Sequence, residues 1–151
     1  MSDDKSPSET TEHKLRIIIT DDSRMLRRKL RADLEALGCE VIEATNGKEA
    51  IMLDLQNEPD GVILDIVMPE VGGVEALQVI REVSPDVPIV MLSSAGTPQK
   101  LMQTLKMGAV DFIQKPYMKE QLVKVVEMLR REREKRKSRK KIDEATDEAT
   151  Q

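Results

Sequence analysis

Tryptophan is absent from this 151-residue chain, and phenylalanine, tyrosine, histidine and cysteine occur once each. So few aromatics argue against single-stranded nucleic acid as a ligand, because base stacking needs aromatic platforms. They also imply an aliphatic core, with nine methionines available to fill its gaps. The single Cys39 makes no internal disulfide, which suits a reducing, cytoplasmic location. His13, the only imidazole, has no second ligand or nucleophile near it in sequence, so the chain is not expected to serve as its own histidine phosphodonor. No apolar run approaches the ~20 residues of a membrane span, and no signal-peptide apolar region is present at the start.

The charge is unevenly spread around a net −4. Residues 1–13 carry Asp3, Asp4, Glu9 and Glu12 against Lys5, with no apolar period, and are expected to be a disordered acidic tail. Residues 14–130 have the length and patterning of one folded domain. Residues 131–151 are expected to form a basic extension of the last helix followed by an acidic tail. Between Leu129 and Ile142 there is no apolar residue, so this stretch should project into solvent or fray. It suits a solvated extension, or a docking segment for an acidic protein surface or a membrane. The acidic body argues against direct DNA binding.

From Leu15 onward, short apolar runs alternate with helical patterns five times. The runs are residues 15–20, 40–44, 61–65, 88–93 and 110–114. Helices are expected over 23–37, from Asn46-Gly47 to before Pro59, from Gly72-Gly73 to Ser84-Pro85, from the Thr97-Pro98 cap, and from near Met118. Runs that are apolar throughout fit strands covered on both faces, hence a parallel sheet with helices on both sides. The first, third and fourth runs are the most apolar and belong at the centre. The second and fifth, with Glu43 and Gln114, belong at the edges. The fold class is therefore α/β, a three-layer doubly wound sandwich of the flavodoxin-like type, with strand order 2-1-3-4-5.

Four of the five runs lead into residues with chemistry. Asp21 and Asp22 follow the first, Asp65 ends the third, Ser93 ends the fourth and Lys115 follows the fifth. Ligands of such sheets bind outside the carboxyl ends of the strands, where these groups would converge. One Asp at a strand end is commonly a helix cap, but three on two adjacent strands repel one another unless a cation offsets them. An all-oxygen donor set selects a hard ion such as Mg²⁺. Neutralising Asp21 or Asp22 is accordingly expected to raise the melting temperature in chelator. Asp65, between the other groups, is placed to accept a phosphoryl group, with Lys115 and the Ser93 hydroxyl as further clamps on its oxygens.

This pattern resembles the receiver domain of two-component response regulators over about residues 14–130. The resemblance rests on the acidic pair, Asp65-Ile66-Val67-Met68-Pro69, Ser93-Ser94-Ala95 and Lys115-Pro116. It implies that Asp65 takes phosphate from a histidine kinase. It implies Mg²⁺ held by Asp21, Asp22, Asp65 and the Val67 backbone carbonyl, and a cis Lys115-Pro116 bond. Ser93 and Phe112 would be the switch pair, Phe112 standing where Tyr is more usual. Val71-Gly72-Gly73 replaces a common Met-Asp-Gly, which alters a turn rather than the chemistry. Val67 and Ala95 at the mouth of the site cannot orient water, so self-dephosphorylation is expected to be slow.

Two enzyme alternatives fail on the same residues. A haloacid-dehalogenase-type phosphatase needs a second Asp two positions after the nucleophile, where Val67 stands. A flavodoxin-like or dinucleotide-binding site needs a Gly- or hydroxyl-rich phosphate loop, where Asp21-Asp22-Ser23-Arg24 is acidic. The chain is thus expected to be a phosphoacceptor switch rather than an enzyme. With no second domain evident, output is expected through the face of the fourth helix, fifth strand and fifth helix. Ser93-Ser94-Ala95-Gly96 and Gly108-Ala109-Val110-Asp111-Phe112 resemble chemotaxis receivers, which implies a flagellar motor switch or chemotaxis adaptor as partner. A phosphate sink, or an adaptor in another two-component pathway, is the alternative.

Overall fold

Side chains that are apolar on both faces of a strand need cover on both sides, and that requirement sets the architecture. A computed structural model describes residues 14–94 and 98–150, with side chains as far as 147. The acidic stretch 1–13 with His13, and Ala95, Gly96 and Thr97, lie outside the described residues. Five strands form one parallel sheet: β1 Arg16–Thr20, β2 Glu40–Ala44, β3 Gly61–Asp65, β4 Ile89–Ser93 and β5 Asp111–Gln114. Five helices connect and flank them: α1 Arg24–Ala36, α2 Gly47–Asn57, α3 Gly73–Val83, α4 Pro98–Lys106 and α5 Lys119–Thr150. The sheet order is β2-β1-β3-β4-β5, as the polarity of the runs predicts.

Alternation along the central strands feeds two separate cores. Ile17, Ile19, Ile63, Val90 and Leu92 pack with Leu30 and Leu34 of α1 and with Leu122, Val125, Val126 and Leu129 of α5. Ile18, Val62, Leu64, Ile89 and Met91 pack on the other side with Ala50, Ala76, Leu77 and Ile80. The helices begin where local chemistry supplies a cap. Ser23 Oγ accepts from Leu26 N–H at 3.2 Å, and Asn46 Oδ1 accepts from Glu49 N–H at 2.9 Å. At α3, Gly72 offers no side chain, and the Glu75 carboxylate instead accepts from Gly72 N–H at 2.7 Å.

The strand register carries the site. Thr20 pairs with Leu64, so Asp21 and Asp65 stand side by side at the next step. Asp65 pairs with Leu92 and Ser93 with Gln114, which brings Ser93 and Lys115 to the same sheet edge.

The last helix continues past Leu129 to Thr150, its side chains exposed from Lys137 to Asp147, and its basic extension is held to the body at its base. Arg130 Nη2 donates to the Leu37 carbonyl at 3.0 Å, and Arg133 and Arg136 flank Asp60 at 3.6 and 3.5 Å. Asp60 also accepts from Arg16 N–H at 2.8 Å, so one carboxylate at the amino end of the sheet holds two arginines of α5.

Two outcomes follow from the packing. A Cβ at Gly73 would collide with the Asp65 carbonyl oxygen and lie 2.8 Å from Ile66 Cα. Gly73→Ala is therefore expected to destabilise by about 1–3 kcal/mol or more, read as a lower urea midpoint. Asp54 is buried, and Ser84 Oγ donates to its carboxylate at 2.5 Å. Burial raises its pKa above the ordinary value, against the opposing pull of Ser84 and Arg81. A raised carboxyl costs stability as pH climbs through the unfolded and then the folded value. Asp54→Asn should thus stabilise the fold at pH 7, and urea titrations should show the gain vanish below about pH 4.

Candidate functional site

Asp21 is the first residue beyond β1, and the turn into α1 fixes it twice. Its Oδ1 accepts from Ser23 N–H at 2.7 Å, while its carbonyl accepts from Arg27 Nη1 at 2.8 Å. Asp22, next in line, is exposed. Asp65 closes β3, is buried, and its Oδ1 accepts from Val67 N–H at 3.2 Å. Lys115 reaches over from the far end of β5 and places its Nζ 2.7 Å from Asp21 Oδ2 and 2.8 Å from Asp65 Oδ2. Its backbone N–H donates to the Ser93 carbonyl at 2.7 Å, and the Lys115-Pro116 peptide is cis.

The electrostatics follow from this crowding. Burial pushes the Asp65 carboxyl up to about 6; Lys115 opposes that rise, and the adjacent Asp21 adds to it. Burial disfavours the Lys115 ammonium, but its hydrogen bonds to Asp21 and Asp65 outweigh that and raise its pKa. Part of the cation expected to offset three clustered acids is therefore built into the chain. This alters the expectation for Asp21: neutralising it also removes a 2.7 Å charge-assisted bond to Lys115, whereas neutralising exposed Asp22 removes repulsion alone.

Ser93 is buried at the end of β4, its Oγ donating to the Ser94 carbonyl at 3.3 Å. Phe112 is half-exposed on β5, two residues before the Gln114 that pairs with Ser93, so both face the same side of the sheet. Val67 is 50% exposed, just past Asp65. The structure thus brings together Asp21, Asp22, Asp65 and Lys115, with Ser93 one strand away. Ala95 lies outside the described residues.

Two side chains that the sequence does not single out sit behind this cluster. Tyr117 is buried, and its hydroxyl donates to Asp33 Oδ2 at 2.5 Å. The only sequence signal is a lone tyrosine two positions after Lys115.

Carboxylate oxygens of Asp21, Asp22 and Asp65 lie within 4.8 Å of one another, close enough to share one ion. Lys115 uses one oxygen each of Asp21 and Asp65, and Asp22 adds an exposed carboxylate. An all-oxygen, partly open donor set of this kind fits a hard divalent cation that keeps several waters. Among the described residues, no helix is long and apolar enough to cross a membrane.

The chain is similar to known proteins in sequence and in fold. The family profile described as "Response regulator receiver domain" matches residues 17–127. Chemotaxis protein CheY of Thermotoga maritima is 36% identical over 112 residues, which cover 74% of this chain and 93% of that protein. Response regulator MprA of a Mycobacterium species is 36% identical over 109 residues, covering 72% of this chain but only 47% of MprA. Among solved structures, the response regulator domain of Thermotoga maritima CheB superposes with a TM-score of 0.68 at 29% identity, covering 79% of this chain and 96% of that one.

A divalent cation that binds the folded form alone should stabilise it by about 2.7 kcal/mol at a hundredfold excess over its Kd. Thermal melts with and without MgCl₂ are expected to show that gain in the wild type and to lose most of it in Asp22→Ala. An equal gain in both would mean the ion binds elsewhere.

Proposed function

The chain belongs to the response regulator receiver family, and from that premise we propose that Asp65 accepts a phosphoryl group from a partner histidine kinase and that this changes what the domain binds. The observation carrying the assignment is the buried Asp65 carboxylate held 2.8 Å from Lys115 Nζ and beside Asp21. In the transfer, a carboxylate oxygen of Asp65 attacks phosphorus and the N–P bond of the phosphohistidine breaks. The electron pair leaves with the imidazole, and an acyl phosphate remains on Asp65. Catalysis of such a step is mostly positioning and charge stabilisation. Lys115 supplies a fixed positive charge at the acceptor. Asp21, Asp22, Asp65 and the Val67 carbonyl would hold Mg²⁺, which when bound neutralises charge on the phosphoryl oxygens.

The switch is proposed to run through Ser93 and Phe112. A phosphoryl oxygen that attracts the Ser93 hydroxyl draws the end of β4 inward, and Phe112 on the neighbouring strand follows into the vacated space. The face it alters carries exposed apolar side chains among polar ones: Met102 of α4, Phe112 of β5 and Val123 of α5 are 56%, 39% and 37% exposed. That composition fits a protein partner that covers the face in one state. Similarity to a chemotaxis CheY over nearly its whole length supports a flagellar motor switch or chemotaxis adaptor as that partner, in the cytoplasm. Equal identity to MprA supports the second reading, a phosphate sink or adaptor in another two-component pathway. In either, the chain is a signalling switch whose chemistry is its own phosphorylation.

Acetyl phosphate with Mg²⁺ is expected to label the wild type at one equivalent and Asp65→Asn not at all, read by intact-protein mass. One equivalent on the variant would sink the acceptor assignment. With Val67 at the mouth of the site, the label should persist for minutes or longer without a phosphatase; decay within seconds would overturn that. Capture of partners by beryllofluoride-treated protein separates the two pathway readings.

A further inference from the structure

Lys115 comes from an edge strand, yet its ammonium must lie between carboxylates on β1 and β3. Nothing in its own flexible stem fixes that position, so something must fix its backbone. Its N–H is tied to Ser93 O at 2.7 Å on one side. On the other, two residues on, Tyr117 is 8% exposed and belongs to the core cluster that holds Leu30 and Leu34 of α1. Its hydroxyl donates to Asp33 Oδ2, on the same helix, at 2.5 Å. Lys29, one turn earlier on α1, holds its Nζ 4.9 Å above the tyrosine ring centroid. Burial, and then the Asp33 carboxylate, keep the phenol protonated and so a donor across the physiological range.

α1 is also the helix whose amino end fixes Asp21, through the Ser23 N–H and Arg27 bonds. One rigid element thus references both ends of the Lys115–Asp21 contact: Asp21 at its first turn, and the segment after Lys115 at Asp33. Resting on the receiver assignment above, we propose that Tyr117 and Asp33 form a clamp that positions Lys115 for phosphoryl transfer to Asp65. Tyr117 touches no reacting atom and is a positioning residue. Asp33 is its acceptor. The arrangement also makes the transfer sensitive to α1: a partner that shifts α1 moves Asp33, and with it the tether on Lys115.

The clamp predicts a split that loss of packing would not produce. Labelling by acetyl phosphate at saturating Mg²⁺ should slow about tenfold in Tyr117→Phe and in Asp33→Ala, since small misplacements of a catalytic group are costly. The double variant should be no slower than the slower single one, because each removes the same hydrogen bond. Mg²⁺ affinity by calorimetry should not fall, because the ligand carboxylates stay in place and a displaced Lys115 only leaves their oxygens freer for a cation. Ile80→Val, which thins the opposite core, should lower the melting temperature and leave the labelling rate unchanged. Should Tyr117→Phe fail to fold, Asp33→Ala alone gives the same rate comparison, and Asp33→Asn, which keeps an acceptor for the Tyr117 hydroxyl, should recover most of the rate. Rates in the single variants within twofold of wild type, multiplying defects in the double variant, or a parallel loss of Mg²⁺ affinity would each overturn the clamp. A wild type that does not label at Asp65 would instead overturn the receiver assignment on which the clamp rests.

Discussion

One ammonium between two carboxylates organises this molecule. Lys115 lies 2.7 Å from Asp21 and 2.8 Å from Asp65, and its three participants come from the ends of β1, β3 and β5. Two buried acids on adjacent strands would repel each other in a medium where charge is poorly screened. The lysine turns that repulsion into a cross-tie from β5 to β1, across four of the five strands. The tie is incomplete, because Asp65 still sits near 6 rather than in the ordinary carboxylate range. The carboxyl edge of the sheet is therefore assembled but not relaxed, a condition that favours further positive charge at Asp22 and Asp65.

Much of this was legible in the sequence because parallel sheets leave a simple trace. Ile17-Ile18-Ile19, Val62-Ile63-Leu64 and Ile89-Val90-Met91-Leu92 have no polar position, so they need cover on both sides, and they are buried. The ends of those runs mark one edge in space, which is why Asp21, Asp65, Ser93 and Lys115 could be grouped before any contact was known. The order of the strands followed from their relative polarity. Ser23 and Asn46 were readable as helix starts because capping is a local interaction.

What the sequence concealed was non-local and polar. Tyr117 and Asp33 are separated by 84 positions, and no periodicity connects a lone tyrosine with one acid among twenty-eight. Arg133 and Arg136 belong to a run whose composition suggested solvation or docking to another surface, not contacts within the domain. Their partner Asp60 lies before β3, and composition does not say which of many acids a given arginine will face. The internal offset by Lys115 was concealed in the same way. Charge balance in the sequence is a sum, whereas in the fold it is a set of distances.

The continuous α5 has a mechanical meaning. Helix rises about 1.5 Å per residue, so the part beyond Leu129 reaches about 30 Å past the last core side chain. It is gripped near its base by Asp60 and by the Leu37 carbonyl, on the side of the domain opposite the carboxylate cluster. A stiff rod held at one end is a lever, and its tip multiplies whatever happens at the grip. Tilting such a rod by about 10° sweeps its far end through about 5 Å, a length comparable to one helical turn. Adjustments too small to notice within the two cores thus become displacements that another macromolecule can feel.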